Sequence, residues 1–443
     1  MKDLIVSKFG GSSVADATSM RKVAAILKQD TRRRLVVLSA TKGTTNQLMT
    51  FFKEKDENLL KEVRLRHESI ARELELSDDT RKKIDFLFKN MLVSNSITDK
   101  EQREATVLSL GERLSTLLFH EYIKKEFPTK VLLVDADDII VTDSHFLSAT
   151  PDMTATKNNA KIHLVEKLKH QHIIITQGFI GRDMNGRTTL LGRGGSDYSA
   201  AILAEACEAP TLEIWTDVPG VATTDPRIVP NASIIEELTY EEASELAHMG
   251  AKILHSITMA PAMRGQIEVF VGSTFAPEKG GTWIRNETRH KSSLRSIAYK
   301  EDQTMITLSS LVMHHGRGFL EKVTGLFAHH RINIEHVTTS ETSTSIIIQG
   351  KYSLADDLIR DLSIENKVNV EHGLSQISFV GEDICTRPDL LAKIVETLSV
   401  FNLRAILMGA GRHNITFLLK RDAAILALTQ AHRQFLEGGH QWM

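Results

Sequence analysis

The stretch Val6-Ser7-Lys8-Phe9-Gly10-Gly11-Ser12-Ser13-Val14 decides the fold. An apolar run close to the N-terminus reaches a lysine, breaks at a glycine pair and passes into an amphipathic pattern over 19–27, the signature of a strand, a tight turn and a helix. Short β-branched runs recur at 4–6, 35–38, 131–134, 173–176, 212–215 and 268–271 with amphipathic stretches between them. That alternation predicts βαβ units and a buried, largely parallel sheet. Glycines at such a junction let the backbone approach a ligand and turn helix N–H groups towards an anion, while Lys8 adds a mobile positive charge. The same letters also fit a plain tight turn with a surface lysine.

At about 150 residues per domain, a chain of 443 residues corresponds to roughly three domains, or to one large α/β domain with a smaller unit. The 42% apolar and 25% charged residues, with 9 Pro and 26 Gly, are those of a globular chain with ample core, so disorder and collagen are excluded. Lys and Arg number 54 against 56 Asp and Glu, and the formal charge of −2 leaves no global field for nucleic acid or an anionic membrane. Local basic residues must therefore meet any anionic substrate. Cys207 and Cys385 are too few for a disulfide framework or a thiolate metal site and suit a reducing compartment, the cytoplasm by default. The N-terminus shows no signal-peptide segment. Apolar runs such as Ile173-Ile174-Ile175 fall far short of the ~20 residues a bilayer helix needs.

A second glycine-rich turn, Leu191-Gly192-Arg193-Gly194-Gly195-Ser196-Asp197-Tyr198, opens into an Ala-rich helix. Ser196 or Asp197 is expected at its cap, where an aspartate can hold a lysine crossing from another strand end. Arg193 offers a planar fork for a carboxylate; a plain cap and an exposed arginine are the bland reading, which two glycine-rich strand-to-helix junctions in one sheet disfavour. At Trp215-Thr216-Asp217-Val218-Pro219-Gly220, followed by Thr224-Asp225-Pro226-Arg227, a strand ends on Thr-Asp and yields to a turn with a basic tip. Such an end suits a ribose, base or phosphate at the carboxyl edge of a parallel sheet. Gly250-Ala251-Lys252-Ile253-Leu254-His255 places another lysine after a helical pattern that begins near Tyr240. Two lysines on one anion suit phosphoryl transfer, in which dispersed negative charge must be stabilised.

Other elements carry less. Gly181-Arg182-Asp183-Met184-Asn185-Gly186-Arg187-Thr188 imitates a P-loop, but its glycines belong to a polar hairpin-like turn rather than a strand-to-helix junction. His314-His315 and His329-His330 lack ligand spacing and a supporting shell, so no metal site is assigned. Residues 53–110 are strongly charged and helical, an excursion whose charge runs are solvated faces. The polar, turn-forming stretch 278–289 puts a domain boundary near 285–295. Beyond it Leu320, Val323, Phe327, Ile332, Ile346 and Ile347 recur 71 positions on as Leu391, Ile394, Leu398, Leu403, Phe417 and Leu418. Ile306 and Leu308 recur at the same offset as Ile377 and Phe379, which predicts two βαββ copies.

The lysine-glycine run at Lys8, Leu110-Gly111-Glu112-Arg113-Leu114-Ser115, the turns at Gly192 and Trp215, and Gly250-Ala251-Lys252 occur in one order and spacing. Jointly they resemble the aspartokinases of the amino-acid kinase superfamily along essentially the whole chain. The resemblance implies an α/β fold: a three-layer, mostly parallel sheet kinase domain over 1–290, then two ferredoxin-like βαββαβ ACT regulatory units over 300–374 and 375–443, with strands exchangeable between them. It implies transfer of the ATP γ-phosphate to the side-chain carboxylate of L-aspartate, giving 4-phospho-L-aspartate, the first step towards lysine, threonine and methionine. Lys8 then neutralises the transferring phosphoryl group, Gly10 and Gly11 donate N–H groups to it, and Asp197 organises the lysines. Arg193 grips the substrate α-carboxylate and Glu112 its ammonium, while Ser39, Thr45 and Ser196 help seat it. Thr216, Asp217, Arg227, Lys252 and Ile253 hold the nucleotide, with Mg²⁺ carried on its phosphates. A carboxylate attacking a phosphate has no proton to lose, so positive charge and alignment do the work and no general base is needed.

The chain departs from the family pattern at Ala222, where an aromatic beside adenine is expected, at Ser256 for a Pro and at Ser12 for a Thr. The stretches 312–320 and 333–341 resemble the effector site of the lysine-inhibited branch. That implies Met313, Gly316, Phe319, Leu320, Asn333, Ile334, Glu335 and Ser340 as effector contacts, with Glu335 in place of an Asp and Gly316 in place of a Ser. ACT units associate through sheet edges, so a homodimer or larger assembly is implied, with effector binding biasing its packing. Two other functions remain open, a non-catalytic amino-acid sensor that keeps the fold and a kinase for another amino-acid carboxylate. Intact Lys8, Glu112, Arg193, Asp197 and Lys252 disfavour the sensor. Neither nucleic acid nor membrane is expected as a partner.

Overall fold

The six expected β-branched runs become strands, here β1 (Ile5–Phe9), β2 (Arg33–Leu38), β3 (Val131–Leu133), β5 (Ile173–Gln177), β8 (Thr211–Thr216) and β10 (Glu268–Ser273); the pattern does not place β4 (Val141–Thr142), β9 (Glu237–Thr239) or β11 (Gly281–Arg285), and the remaining two are β6 (Ile180–Asp183) and β7 (Thr188–Leu190). The structure is a computed structural model that describes residues 3–250, 256–289, 291–309, 318–350 and 356–437. Among the described residues, eight strands form one sheet in the order β3-β5-β2-β1-β8-β10-β11-β9. Its six strands from β3 to β10 are parallel, which explains why they are apolar on both faces. β11 closes antiparallel on β10. The P-loop imitation is the β6–β7 hairpin, whose turn places Gly186 at φ 79°.

Between the strands lie α1 (Ala17–Gln29), α2 (Thr44–Glu54), α3 (Glu57–Glu73), α4 (Asp78–Val93), α5 (Lys100–Glu126), α6 (Met153–Ala160), α7 (Glu166–Lys169), α8 (Gly195–Ala206), α9 (Tyr240–His248) and α10 (Met259–Gly265). Phe9, Val36, Leu38, Ile173 and Ile175 face a core built with α1 to α5. The alternate side chains of β1 and β2 point the other way, towards α8, because strand residues change face at each step. A helix layer on each face of the sheet gives the three-layer unit. The charged excursion is α3, α4 and the start of α5; on α3 only a stripe of Val63, His67, Ile70 and Ala71 is buried.

The chain divides into two compact units, 1–221 with 234–244 and 252–288, and 222–233 with 245–251 and 289–443. In the second, the repeat is βαββα and so runs one helix further than the βαββ expected. β12 (Ser296–Ser309), α11 (Phe319–His329), β13 (His336–Thr339), β14 (Ser343–Gln349) and α12 (Asp356–Ser363) are followed by β15 (Lys367–Val380), α13 (Pro388–Leu398), β16 (Ala405–Leu407), β17 (Asn414–Lys420) and α14 (Arg421–Phe435). These strands make one antiparallel sheet, β13-β14-β12-β15-β17-β16. β12 and β15 pair along their length with an irregularity after Lys300, close to Asp302 at φ 58° and Gly373 at φ 73°. Ile306 and Leu308, beyond that break, pack with α11 and α12, whereas Ile297, Ile377 and Phe379 pack with α13 and α14. Each long strand therefore serves two ferredoxin-like cores.

Candidate active site

Lys8 shares the β1 face of Val6, the face that α8 covers, and its Nζ meets Asp197 Oδ1 at 2.5 Å. Both side chains are largely buried, so neither charge is dissipated in solvent. The α8 cap differs from expectation. Gly194, left-handed at φ 68°, is the N-cap, and Ser196 and Asp197 sit inside the first turn rather than at the cap. Gly194 turns the chain so sharply that an aspartate two positions into the helix, not a capping side chain, faces Lys8. The glycine after it is sterically required, since a Cβ on Gly195 would lie 2.5 Å from the Phe179 ring.

Three strand-to-helix junctions converge here. At the first, a Cβ on Gly11 would lie 2.8 Å from the Ala40 carbonyl oxygen, so only glycine lets the β1 and β2 loops pack together. Lys42 N–H donates to Gly11 O at 3.1 Å across that contact. At the second, α2 begins after Gly43 at φ 84°. The third is α8. The α2 and α8 N-termini both present their positive dipole ends, which favours anions. From α5, Glu112 Oε1 accepts the Ala40 N–H at 3.1 Å, and Ser115 Oγ donates to Ser39 O at 2.7 Å. Glu112 Oε2 is buried with no hydrogen-bond partner among the described residues. Burial pushes the Glu112 pKa up to about 8, against the lowering pull of the Ala40 amide and of the Arg113 and Lys8 charges.

These groups line a cavity of about 410 Å³ at the carboxyl edge of the parallel strands. Of the expected residues it brings together Lys8, Gly11, Ser39, Thr45, Glu112, Ser196 and Asp197. Arg193 is exposed and does not line it, although its neighbours Gly192 and Gly194 do. Thr216 and Asp217 lie at the end of β8 outside the lining; Ser12 Oγ donates to Asp217 Oδ2 at 3.2 Å. One expectation fails. The Gly10 N–H is spent on Trp215 O at 3.0 Å, so it is not available to a phosphate. Arg227, in the second unit, pairs its exposed fork with Asp225, with Nη2 2.6 Å from Oδ2 and Nε 3.0 Å from Oδ1. Lys252 and Ile253 lie outside the described residues.

The cavity also holds Ser12, noted in the sequence only as a departure from the family pattern, and four residues given no role there: Thr41, Lys42, Asn46 and Phe179. Lys42-Gly43 repeats the lysine-glycine junction logic of Lys8 at the end of β2, a signal that was available. Phe179, at the unusual φ of 69°, carried none.

In the second unit, Met313 and Gly316 lie outside the described residues. Phe319 lines a cavity of about 440 Å³ together with Leu326 and Asp361, while Leu320 and Asn333 are exposed and Ile334 packs on the neighbouring core. Glu335 Oε2 already accepts Lys300 Nζ at 2.7 Å. Ser340 Oγ accepts the Ser343 N–H at 3.1 Å and closes the β13–β14 turn.

A lysine held by an aspartate in a cavity rimmed by helix N-termini defines an α/β protein built to gather anions. The chain matches the amino acid kinase family over residues 3–273 and an ACT domain over 377–435. It is 39% identical to lysine-sensitive aspartokinase 3 of Escherichia coli over 99% of this chain and 100% of that protein. The E. coli aspartokinase III structure with aspartate and ADP, named as the R-state, superposes with a TM-score of 0.86 at 38% identity, covering 98% of this chain and 100% of that one. The form with lysine and aspartate, named as the T-state, also gives 0.86, at 37% identity over the same shares. The chain belongs to the amino acid kinase family, among its aspartokinases.

Proposed function

We propose that this chain transfers the γ-phosphate of ATP to the side-chain carboxylate of L-aspartate, giving 4-phospho-L-aspartate as the first step towards lysine, threonine and methionine. The observation that carries this is the Lys8–Asp197 pair inside a cavity that also holds the unpartnered Glu112 oxygen. The reacting groups are both anions, and the barrier is their repulsion. Lys8, Lys42, the Gly11 amide and two helix N-termini supply positive potential, and Asp197 fixes the Lys8 ammonium in place. Glu112 is the natural seat for the substrate ammonium: it is buried, sits on α5 beside Ala40, and has one oxygen unfilled. Ser39, Thr45 and Ser196 line the space left for the rest of the amino acid, and Arg193 at the rim reaches for its α-carboxylate. Thr216 and Asp217 at the end of β8, with Lys252 and Ile253, hold the nucleotide.

The cavity carboxylates fit a protein that leaves Mg²⁺ to the nucleotide, since Asp197 is committed to Lys8 and Glu112 is buried against an amide. When bound there, the ion supplies Lewis-acid neutralisation of the phosphates.

Lysine is the proposed feedback effector, acting at the second unit through Glu335 and the turn at its β13 end. The edges of β13 and β16, which end the sheet among the described residues, are the proposed routes of homodimer assembly, which the native mass in solution tests. The division into a kinase domain over 1–290 and regulatory units over 300–374 and 375–443 is proposed on the same footing, as is a cytoplasmic location; no helix among the described residues is long and apolar enough to cross a membrane.

The direct test traps the acyl phosphate with hydroxylamine. ATP- and aspartate-dependent hydroxamate, reduced by added lysine, is the expected result. An absence of hydroxamate from aspartate overturns the assignment, and hydroxamate formed faster from glutamate reassigns the substrate.

A further inference from the structure

The helical excursion encloses a second cavity, of about 350 Å³, set among α2, α3, α4 and α5. Its floor includes the buried rings of Phe52 and Phe88. Around them stand four cationic side chains. Lys55 Nζ lies 4.4 Å from the Phe52 ring centroid, Arg103 Cζ 5.8 Å from the same ring, and Arg64 Cζ 4.7 Å from that of Phe88, with Lys61 completing the lining. Arg64 is answered by Asp85 at 2.8 Å. Among the described residues Lys55, Lys61 and Arg103 have no ion-pair partner, and Arg103 Nε is buried with no hydrogen-bond acceptor. One carboxylate, Glu57, shares the lining.

An aromatic floor under surplus positive charge is complementary to one class of molecule. A flat apolar body packs against the more open apolar lining of Phe51, Leu60 and Leu92 and displaces water there, while its negative group pairs with the cations that stand over the buried Phe52 and Phe88 rings. Arg103 Nη1 donates to Ile97 O at 3.4 Å, so a neutral apolar ligand gains only the first term and leaves Arg103 Nε without an acceptor. We propose that this cavity is a second ligand site, taking a small planar organic anion such as an aryl carboxylate or sulfonate. The site is separate from the first cavity, with which it shares no lining residue.

The experiment uses the intact chain with saturating aspartate and MgADP, so that the first cavity is filled, and titrates it with 8-anilinonaphthalene-1-sulfonate by fluorescence. The uncharged probe N-phenyl-1-naphthylamine has the same rings without the sulfonate. Expected are one saturable site for the sulfonate, at least tenfold weaker binding of the neutral probe, and at least a tenfold loss of sulfonate affinity in Lys61→Gln/Arg103→Gln. Should the double variant lose its circular dichroism spectrum, Lys61→Glu alone, at an exposed position, is expected to weaken binding at least threefold. Unchanged sulfonate affinity in a folded variant, or equal affinity for the neutral probe, overturns the assignment.

Discussion

Burial of the Glu112 carboxyl, only partly offset by the Ala40 amide and by nearby positive charge, leaves its pKa at about 8 in the free protein. At pH 7 it is therefore mostly protonated before substrate arrives, and an ammonium docking on it favours the carboxylate and expels the proton. Aspartate binding at pH 7 should release a proton, and affinity should tighten as pH rises towards 8. Calorimetry in two buffers of different ionisation enthalpy reads the release directly; buffer-independent heats, or affinity that weakens over that range, would remove Glu112 from the site. Lys8 and Asp197 were legible in the sequence because each sits in a glycine-marked motif at a strand or helix end, whereas Glu112, midway along α5, was supplied only by the family resemblance. The spent Gly10 amide was not legible, because it depends on a partner chosen in three dimensions, the Trp215 carbonyl on β8.

The substrate-side loop after β2 is held by α3 as well as α5. His67 on α3 is fully buried; its Nδ1 lies 2.7 Å from Val63 O, which requires a proton there, so its Nε2, 3.2 Å from Thr41 Oγ1, accepts from that hydroxyl. Burial lowers its pKa to about 4 from 6.5. Because the folded state resists protonation while the unfolded chain accepts it below about 6.5, stability is lost as pH falls from about 6.5 towards 4, by about 3 kcal/mol in all. Urea unfolding at pH 7 and pH 4.5 should show a shallower loss for His67→Gln than for the unchanged protein; equal losses would mean that His67 protonates freely. At this scale the strands, the hairpin and the βαβ alternation were readable from hydrophobic period and glycine position. The sharing of β12 and β15 between two cores was not, since an ungapped repeat marks equivalent residues but does not say which half of a long strand faces which helices.

In the second unit, the Lys300 ammonium pairs with Glu335, the carboxylate proposed above for an effector lysine. If Glu335 takes the effector side chain, Lys300 competes with it, and a part-buried pair worth about 1 kcal/mol corresponds to roughly fivefold in affinity. Lys300→Met should accordingly lower the lysine concentration for half-inhibition about fivefold; unchanged or weaker inhibition would place the effector elsewhere. In the first unit, Lys8 from β1, Glu112 from α5 and Asp197 from α8 meet at one sheet edge, where the proposed reaction joins two anions without a base. Hydroxamate formation by Lys8→Ala, with folding checked by circular dichroism, tests it most directly. Loss of one charge-stabilising donor predicts a fall in kcat on the order of 10²–10³ with the KM for aspartate little changed. A folded Lys8→Ala protein turning over at near the parent rate would contradict the account.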